Sequence, residues 1–368
     1  MVATQQQHEV PAPVRPAFID CDFHNQWDSP KDLYPYLAKR WIDHIETFGL
    51  RGHAGGTYPR FLEDKAGAWP PSGRRAGSEP AYVRETFLDP ERVAYAILTP
   101  LGGGGGLADL ELSAAWARAV NDWQVAEWLD FDDRYRASIQ ISFEDPSRAV
   151  AEIRRLAPDK RHVQVQFSGR PHEPMGRRKY WPIYEACVEH GLQVMSHAFG
   201  SAGQPITGTG WPSFYVDDHV GPAQAMQANV LSMVAEGVFE HFPTLNLVSA
   251  ENGFGWLPSL CWRLDSAWHL LKAEVPHLKR PPSEYVREHV YVCTQPMEEP
   301  HRPRQFSQLL EHFGPSVDRI VFASDYPHWD ADDPDEAFPV ALPPELQQKI
   351  YFDNAASLYG LRSRGDGG

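Results

Sequence analysis

Four side chains far apart in this sequence are of types that hold a divalent ion. Asp22 and His24 stand two residues apart near the start of the chain, His197 lies past its middle, and Asp325 lies near its end. Carboxylate oxygen and imidazole nitrogen together suit a borderline divalent metal. Each residue closes an apolar, strand-like run: 18–24, 192–197 and 320–325. Alternate residues of a strand share a face, so Asp22 and His24 are expected on one side, with Cys21 and Phe23 turned to the opposite side, toward helices. Asp325 shares its face with Val321 and Ala323. Taken singly, each has an ordinary reading: a capping aspartate, a strand-end histidine bonded to backbone, an aspartate opening a turn before Tyr326-Pro327. Taken together at strand ends, they read as ligands of one metal centre. Such a set leaves a coordination position open, which separates a catalytic centre from a structural one.

Ligands on the first and last strands meet only if the fold closes on itself. Eight strand candidates are spaced along the chain: 18–24, 93–100, 135–141, 162–167, 192–197, 245–251, 290–295 and 320–325. Helical patterns lie between them, among them 108–129, 146–156, 182–190 and 223–239. Eight alternating units predict an α/β fold, a (β/α)8 TIM barrel, and 368 residues fit it with insertions. In 162–167 polar and apolar residues alternate, so Gln164 and Gln166 are expected inside the barrel and Val165 and Phe167 against helices. Gln166 then faces substrate, or is a buried amide bonded to backbone. Insertions 49–89 and 198–222 leave C-terminal strand ends, where barrel active sites form, and are expected to fold as lids. The glycine run 102–106 is either a plain turn or an anion cradle, and it lacks the spacing of a dinucleotide loop. Residues 1–16 read as a loose arm, 17–361 as one barrel domain and 362–368 as a tail.

Composition narrows the partners. The formal net charge is -15 and there is no basic run, so neither nucleic acid nor a membrane surface is expected as a partner. No stretch has the length of a membrane span, and 1–16 has no apolar core of a signal peptide. The four cysteines show no C-x-x-C spacing, which points to a reduced, cytoplasmic protein.

The chain resembles the amidohydrolase superfamily, in the branch of the aminocarboxymuconate-semialdehyde decarboxylase. The carriers are Asp20-Cys21-Asp22-Phe23-His24, the run 191–197 ending in Ser196-His197, the run 240–258, Ser324-Asp325-Tyr326-Pro327-His328 and Asp353-Asn354-Ala355-Ala356. The resemblance implies Asp22, His24, His197 and Asp325 as metal ligands. The fourth strand has no lysine to bridge two metals, which implies one ion, zinc or manganese, and no organic cofactor is implied. The sixth strand ends in Glu251, where many relatives carry histidine. Glu251 either orients substrate or bonds the turn 253–256. Asp325 and His197 are the expected catalytic residues, and Gln166, Glu251, His328 and Trp329 the expected substrate contacts. His328 equally fits a loop cap. Arg51, Arg60, Arg74 and Arg75 of the first insertion are carboxylate binders or plain surface residues. The implied reaction is nonoxidative decarboxylation of a small aromatic or unsaturated carboxylic acid. A metal-dependent hydrolase of amides, lactones or C–C bonds would use the same residues, and a barrel with a degenerate site would only bind. A homodimer or higher homo-oligomer is compatible with either reaction.

Overall fold

The computed structural model describes residues 17–50, 64–198, 205 and 210–362. Eight strands alternate with helices: β1 (Phe18–Phe23), β2 (Val93–Leu98), β3 (Tyr135–Gln140), β4 (His162–Ser168), β5 (Gln193–His197), β6 (Leu247–Ala250), β7 (Val290–Cys293) and β8 (Ile320–Val321). Each pairs in parallel with the next in chain order. Backbone bonds join the two ends of the sheet. The Cys21 N–H donates to the Phe322 carbonyl at 3.0 Å, His24 to Tyr326 at 2.8 Å, and Asp325 to Asp22 at 3.1 Å. The expected TIM barrel is the observed fold.

Local sequence explains the elements. The strands are short apolar runs buried on both faces, as parallel strands under helices must be. Asp109 caps helix Leu110–Trp123 by accepting from the Glu111 and Leu112 N–H groups. Asp145 caps Pro146–Leu156, whose first residue is a proline with no N–H to satisfy. Two apolar layers result. Phe18, Phe23, Leu98, Ile139, Val165 and Phe167 pack outward against helices. Ile19, Cys21, Ile97, Met195, Val248, Cys293, Val321 and Ala323 pack inside the barrel. Phe352, Ala355 and Leu358 join the inner layer. Gln193, the first residue of β5, donates to the Leu358 carbonyl at 3.3 Å, so the last helix crosses the N-terminal end. Inside, Gln164 donates to Ser138 and accepts from Tyr359, as its parity predicts.

Two expectations are corrected. Cys21 does not face the helices; it lies in the inner layer beside Ile19. The pairing of β1 with β2 shifts register between Asp20 and Phe23, so simple alternation fails there. Phe23 does face outward. The regular part of β8 is also shorter than 320–325, because side chains replace the ladder. The Thr294 hydroxyl accepts from the Ala323 N–H at 3.0 Å, and Asp20 accepts from the Ser324 N–H at 2.9 Å.

Parts of both insertions are described. The Lys65 N–H donates to the Pro327 carbonyl and the Gln26 N–H to that of Gly77, each at 2.8 Å. Gly77 is at φ +68°, and a Cβ there would lie 2.7 Å from the His24 carbonyl oxygen, so only glycine fits beside this ligand. The second insertion contributes helix Tyr215–Val220. Residues 51–63 and most of 199–209, including Arg51 and Arg60, lie outside the described residues, as do the arm 1–16 and residues 363–368 of the tail. The glycine run lines a cavity together with Gln140, Phe143 and Gln166, and a Cβ on Gly103 would lie 1.9 Å from the Gln140 amide oxygen. Among the described residues no helix is long and apolar enough to cross a membrane.

Phe23 clamps the β1–β8 seam. Its ring stacks on Tyr326 at 5.2 Å and touches Phe87, Trp128 and Tyr135. Phe23→Ala is expected to destabilise the chain by about 3–5 kcal/mol, measured by denaturant unfolding. A loss below about 1 kcal/mol would contradict this packing.

Candidate metal centre at the C-terminal mouth

The ends of β1, β5 and β8 bring the four ligand candidates into two overlapping groups that share His24: Asp22, His24 and His197 in one, and His24, Asp325 and His328 in the other. The His24 Nε2 atom lies 2.7 Å from Asp325 Oδ1 and 3.7 Å from Asp22 Oδ1. The His197 Nε2 atom lies 3.4 Å from Asp22 Oδ2. The two imidazole rings meet edge to face, with centroids 4.9 Å apart. All four side chains are buried. At the end of β6, Glu251 brings its Oε2 to 3.2 Å from the same His197 nitrogen.

The donor chemistry fits a cation. His24 Nδ1 is 2.6 Å from the Thr99 carbonyl, which can only accept, so Nδ1 carries a proton and Nε2 turns inward. Nε2 then faces the Asp325 carboxylate at a distance that requires a positive charge between them, a proton or a metal ion. Both oxygens of Asp22, both ring nitrogens of His197 and Oε2 of Glu251 are buried without a hydrogen-bond partner. Buried polar atoms in native proteins are paired or hold ions. Titration agrees. Burial works against the His24 imidazolium, but Asp22 and Asp325 outweigh it and push its pKa up to about 9. Burial, with Asp325 and Asp22 adding to it, pushes the Glu251 carboxyl well up. Burial alone would raise Asp325 too, yet His328 and His24 hold it well below the usual carboxylate range. The cluster therefore draws in positive charge.

Backbone strain marks the same place. Glu251 (φ 57°) and Asp325 (φ 60°) both occupy the left-handed region, at roughly 1–2 kcal/mol each. Such conformations persist where surrounding structure enforces them, and they gather at functional sites.

The other expected residues divide. The His328 Nδ1 atom is 2.8 Å from Asp325 Oδ1, and its ring lies 4.4 Å from that of His24. Trp329 stands at the rim, 43% exposed, and donates to the Tyr215 hydroxyl at 3.1 Å. Gln166 accepts from Gln140 at 2.5 Å and reaches the Pro100 carbonyl at 3.5 Å. Among the described residues no hydrogen bond or ion pair joins the Gln166 side chain to the four ligand candidates. The turn 253–256 is bonded by Glu298, which accepts from the Phe254 and Gly255 N–H groups, while Glu251 lies against His197. The Arg74 side chain pairs with Asp32 and that of Arg75 with Asp64, as surface arginines do, while the Arg75 backbone N–H donates to Asp28.

Three contributors escaped the sequence reading. Thr99 fixes His24 through a backbone carbonyl, which no residue type announces. Asp20 holds Ser324 beside Asp325. Gln295 donates to Asp325 Oδ2 at 3.0 Å. The one available signal was position: Thr99 and Gln295 fall at the ends of strand candidates.

The chain belongs to the amidohydrolase family, whose model matches residues 19–361. It is 26% identical over 265 residues to a gamma-resorcylate decarboxylase of Rhizobium radiobacter, covering 67% of this chain and 77% of that one. Its fold is similar to an amidohydrolase from Mycobacterium avium subsp. paratuberculosis, with a TM-score of 0.70, 23% identity and coverage of 96% and 100% of the two chains. It is also similar to a 5-carboxyvanillate decarboxylase from Novosphingobium aromaticivorans, solved with manganese and 4-hydroxy-3-methoxy-5-nitrobenzoic acid, with a TM-score of 0.69, 18% identity and coverage of 94% and 96%.

Metal removal is expected to be visible in stability. Binding to the folded state at a hundredfold excess over Kd adds about 2.7 kcal/mol. A chelator should lower the unfolding temperature by several degrees, manganese should restore it, and His197→Ala should respond to neither. An equal chelator shift in His197→Ala would contradict the assignment.

Proposed function

We propose that this chain is a metal-dependent, nonoxidative decarboxylase of a small aromatic or unsaturated carboxylic acid. The observation that carries the reading is the His24–Asp325 contact of 2.7 Å, with the unpartnered Asp22 oxygens beside it. This is a buried, preformed cation site at the mouth of a barrel. The decarboxylase relative and the manganese-bound neighbour support the reaction class. One manganese or zinc ion, held by Asp22, His24, His197 and Asp325, would supply charge stabilisation for the substrate carboxylate and an adjacent hydroxyl or carbonyl oxygen. Nothing in this scheme calls for an organic cofactor.

The chain's own residues carry the proton. As the bond to the carboxylate breaks, its electron pair stays on the substrate carbon and carbon dioxide leaves. Asp325, itself held ionised by His24 and His328, relays to that carbon a proton that it takes from His328. The His328 Nδ1 atom lies within proton-exchange distance of Asp325 Oδ1. Glu251, whose carboxyl pKa is pushed well up by burial, lies 3.2 Å from His197 and orients substrate there. His197 orients the substrate from the other side. Trp329 gives an aromatic wall at the rim and Gln166 a polar contact deeper in the barrel. The segments 64–78 and 210–222 act as parts of lids that keep water out.

Carbon dioxide release from hydroxybenzoate-type acids by the manganese-loaded protein is the test, run beside amide and lactone panels. Asp325→Asn is expected to lower turnover by about 10²–10⁴-fold while the chain stays folded. Turnover confined to amides or lactones would replace this reading by a metal-dependent hydrolase. A folded protein that binds no metal and turns over nothing would be a binding barrel.

A further inference from the structure

Asp325 is held from both sides. His24 and His328 occupy Oδ1, and the amide of Gln295 donates to Oδ2 at 3.0 Å. Gln295 follows β7 and is buried. Its backbone is anchored by its neighbour, because the Thr294 N–H donates to the Val321 carbonyl and the Thr294 hydroxyl bonds Ala323. The same Gln295 nitrogen also donates to Asp330 Oδ2 at 3.1 Å. An amide NH2 has two hydrogens, and both are taken. Both partners are carboxylates that only accept, so the amide has one stable orientation. Flipped, it would set its carbonyl against two negative groups. Asp330 Oδ2 in turn lies 2.9 Å from His219 Nε2, on helix Tyr215–Val220.

We propose that Gln295 is a positioning residue. It fixes the plane in which Asp325 presents its oxygens to the metal, and it ties that carboxylate through Asp330 and His219 to the helix that follows β5. Without the Gln295 donor, Oδ2 of Asp325 is a buried carboxylate oxygen with no partner, and the side chain turns to find one. Groups that bond a ligating carboxylate typically contribute 10–100-fold in metal affinity. This inference rests on the metal centre of the proposed function but not on its substrate.

The test is a titration of the metal-freed full chain with Mn²⁺, followed by the paramagnetic resonance signal of the free ion. Gln295→Met keeps the length and volume of the side chain and removes both donors. It is expected to weaken Mn²⁺ binding by about 10–100-fold. Gln140→Met is the control, since Gln140 is equally buried but bonds Gln166 and the Ser138 carbonyl rather than a ligand, and it should stay within about threefold of wild type. Wild-type affinity in Gln295→Met, or an equal loss in Gln140→Met, overturns the proposal. Gln295→Leu takes the place of the methionine variant if that one fails to fold. The titration needs no substrate. A chain that shows the Gln295 effect and releases no carbon dioxide therefore loses the decarboxylase reading and keeps this one.

Discussion

The hydrogen-bonded seam between β1 and β8 is the constraint on which the site depends. His24 and Asp325 are separated by 301 positions in sequence. Their contact exists because three backbone bonds knit residues 21–24 to 322–326. The seam is reciprocal: Asp325 donates to the Asp22 carbonyl while His24 donates to that of Tyr326. Each ligand candidate on one strand is thus braced by backbone next to a ligand candidate on the other. Asp20 and Thr294 complete the bracing with side-chain bonds where the regular ladder of β8 stops. Phe23 and Tyr326 seal the outer face by stacking. The position of the cluster follows from strand pairing, and loops need not supply it.

Charge explains why such a cluster is worth bracing. Asp22, Asp325 and Glu251 are buried within a few ångströms of two imidazoles, and desolvated carboxylates repel one another strongly. The fold nevertheless holds two of them on left-handed backbone. A proton shared between His24 and Asp325 relieves part of that repulsion, and a divalent cation relieves more. Geometry fixed in advance of binding also removes the reorganisation that a flexible site would need. The strain, the unpartnered oxygens and the tautomer set by Thr99 are independent observations, and each fits a candidate cation site.

Much of this was legible in the sequence because barrels convert spacing into position. Eight apolar runs separated by helical patterns led to the fold, and strand-end location led to Asp22, His24, His197 and Asp325. His328 was legible as the third residue after Asp325 in the loop leaving β8. The failures have physical causes. Cys21 was assigned to the helix side because alternation assumes an unbroken pleat, whereas β1 shifts register between Asp20 and Phe23. Thr99 acts through a carbonyl, which every residue carries. Gln295 and Asp330 matter through contacts that only the closed barrel creates. Glu251 was weighed equally between the site and the turn 253–256. The turn itself is bonded by Glu298, 43 residues beyond Gly255, which no local pattern links to it.

The most direct measurement is an anomalous difference map from crystals of the manganese-loaded protein, recorded on either side of the manganese absorption edge. The account predicts one peak per chain, with Asp22, His24, His197 and Asp325 supplying oxygen and nitrogen at about 2.0–2.3 Å. No peak within reach of His24 and Asp325, or a second metal of equal occupancy beside the first, would contradict it.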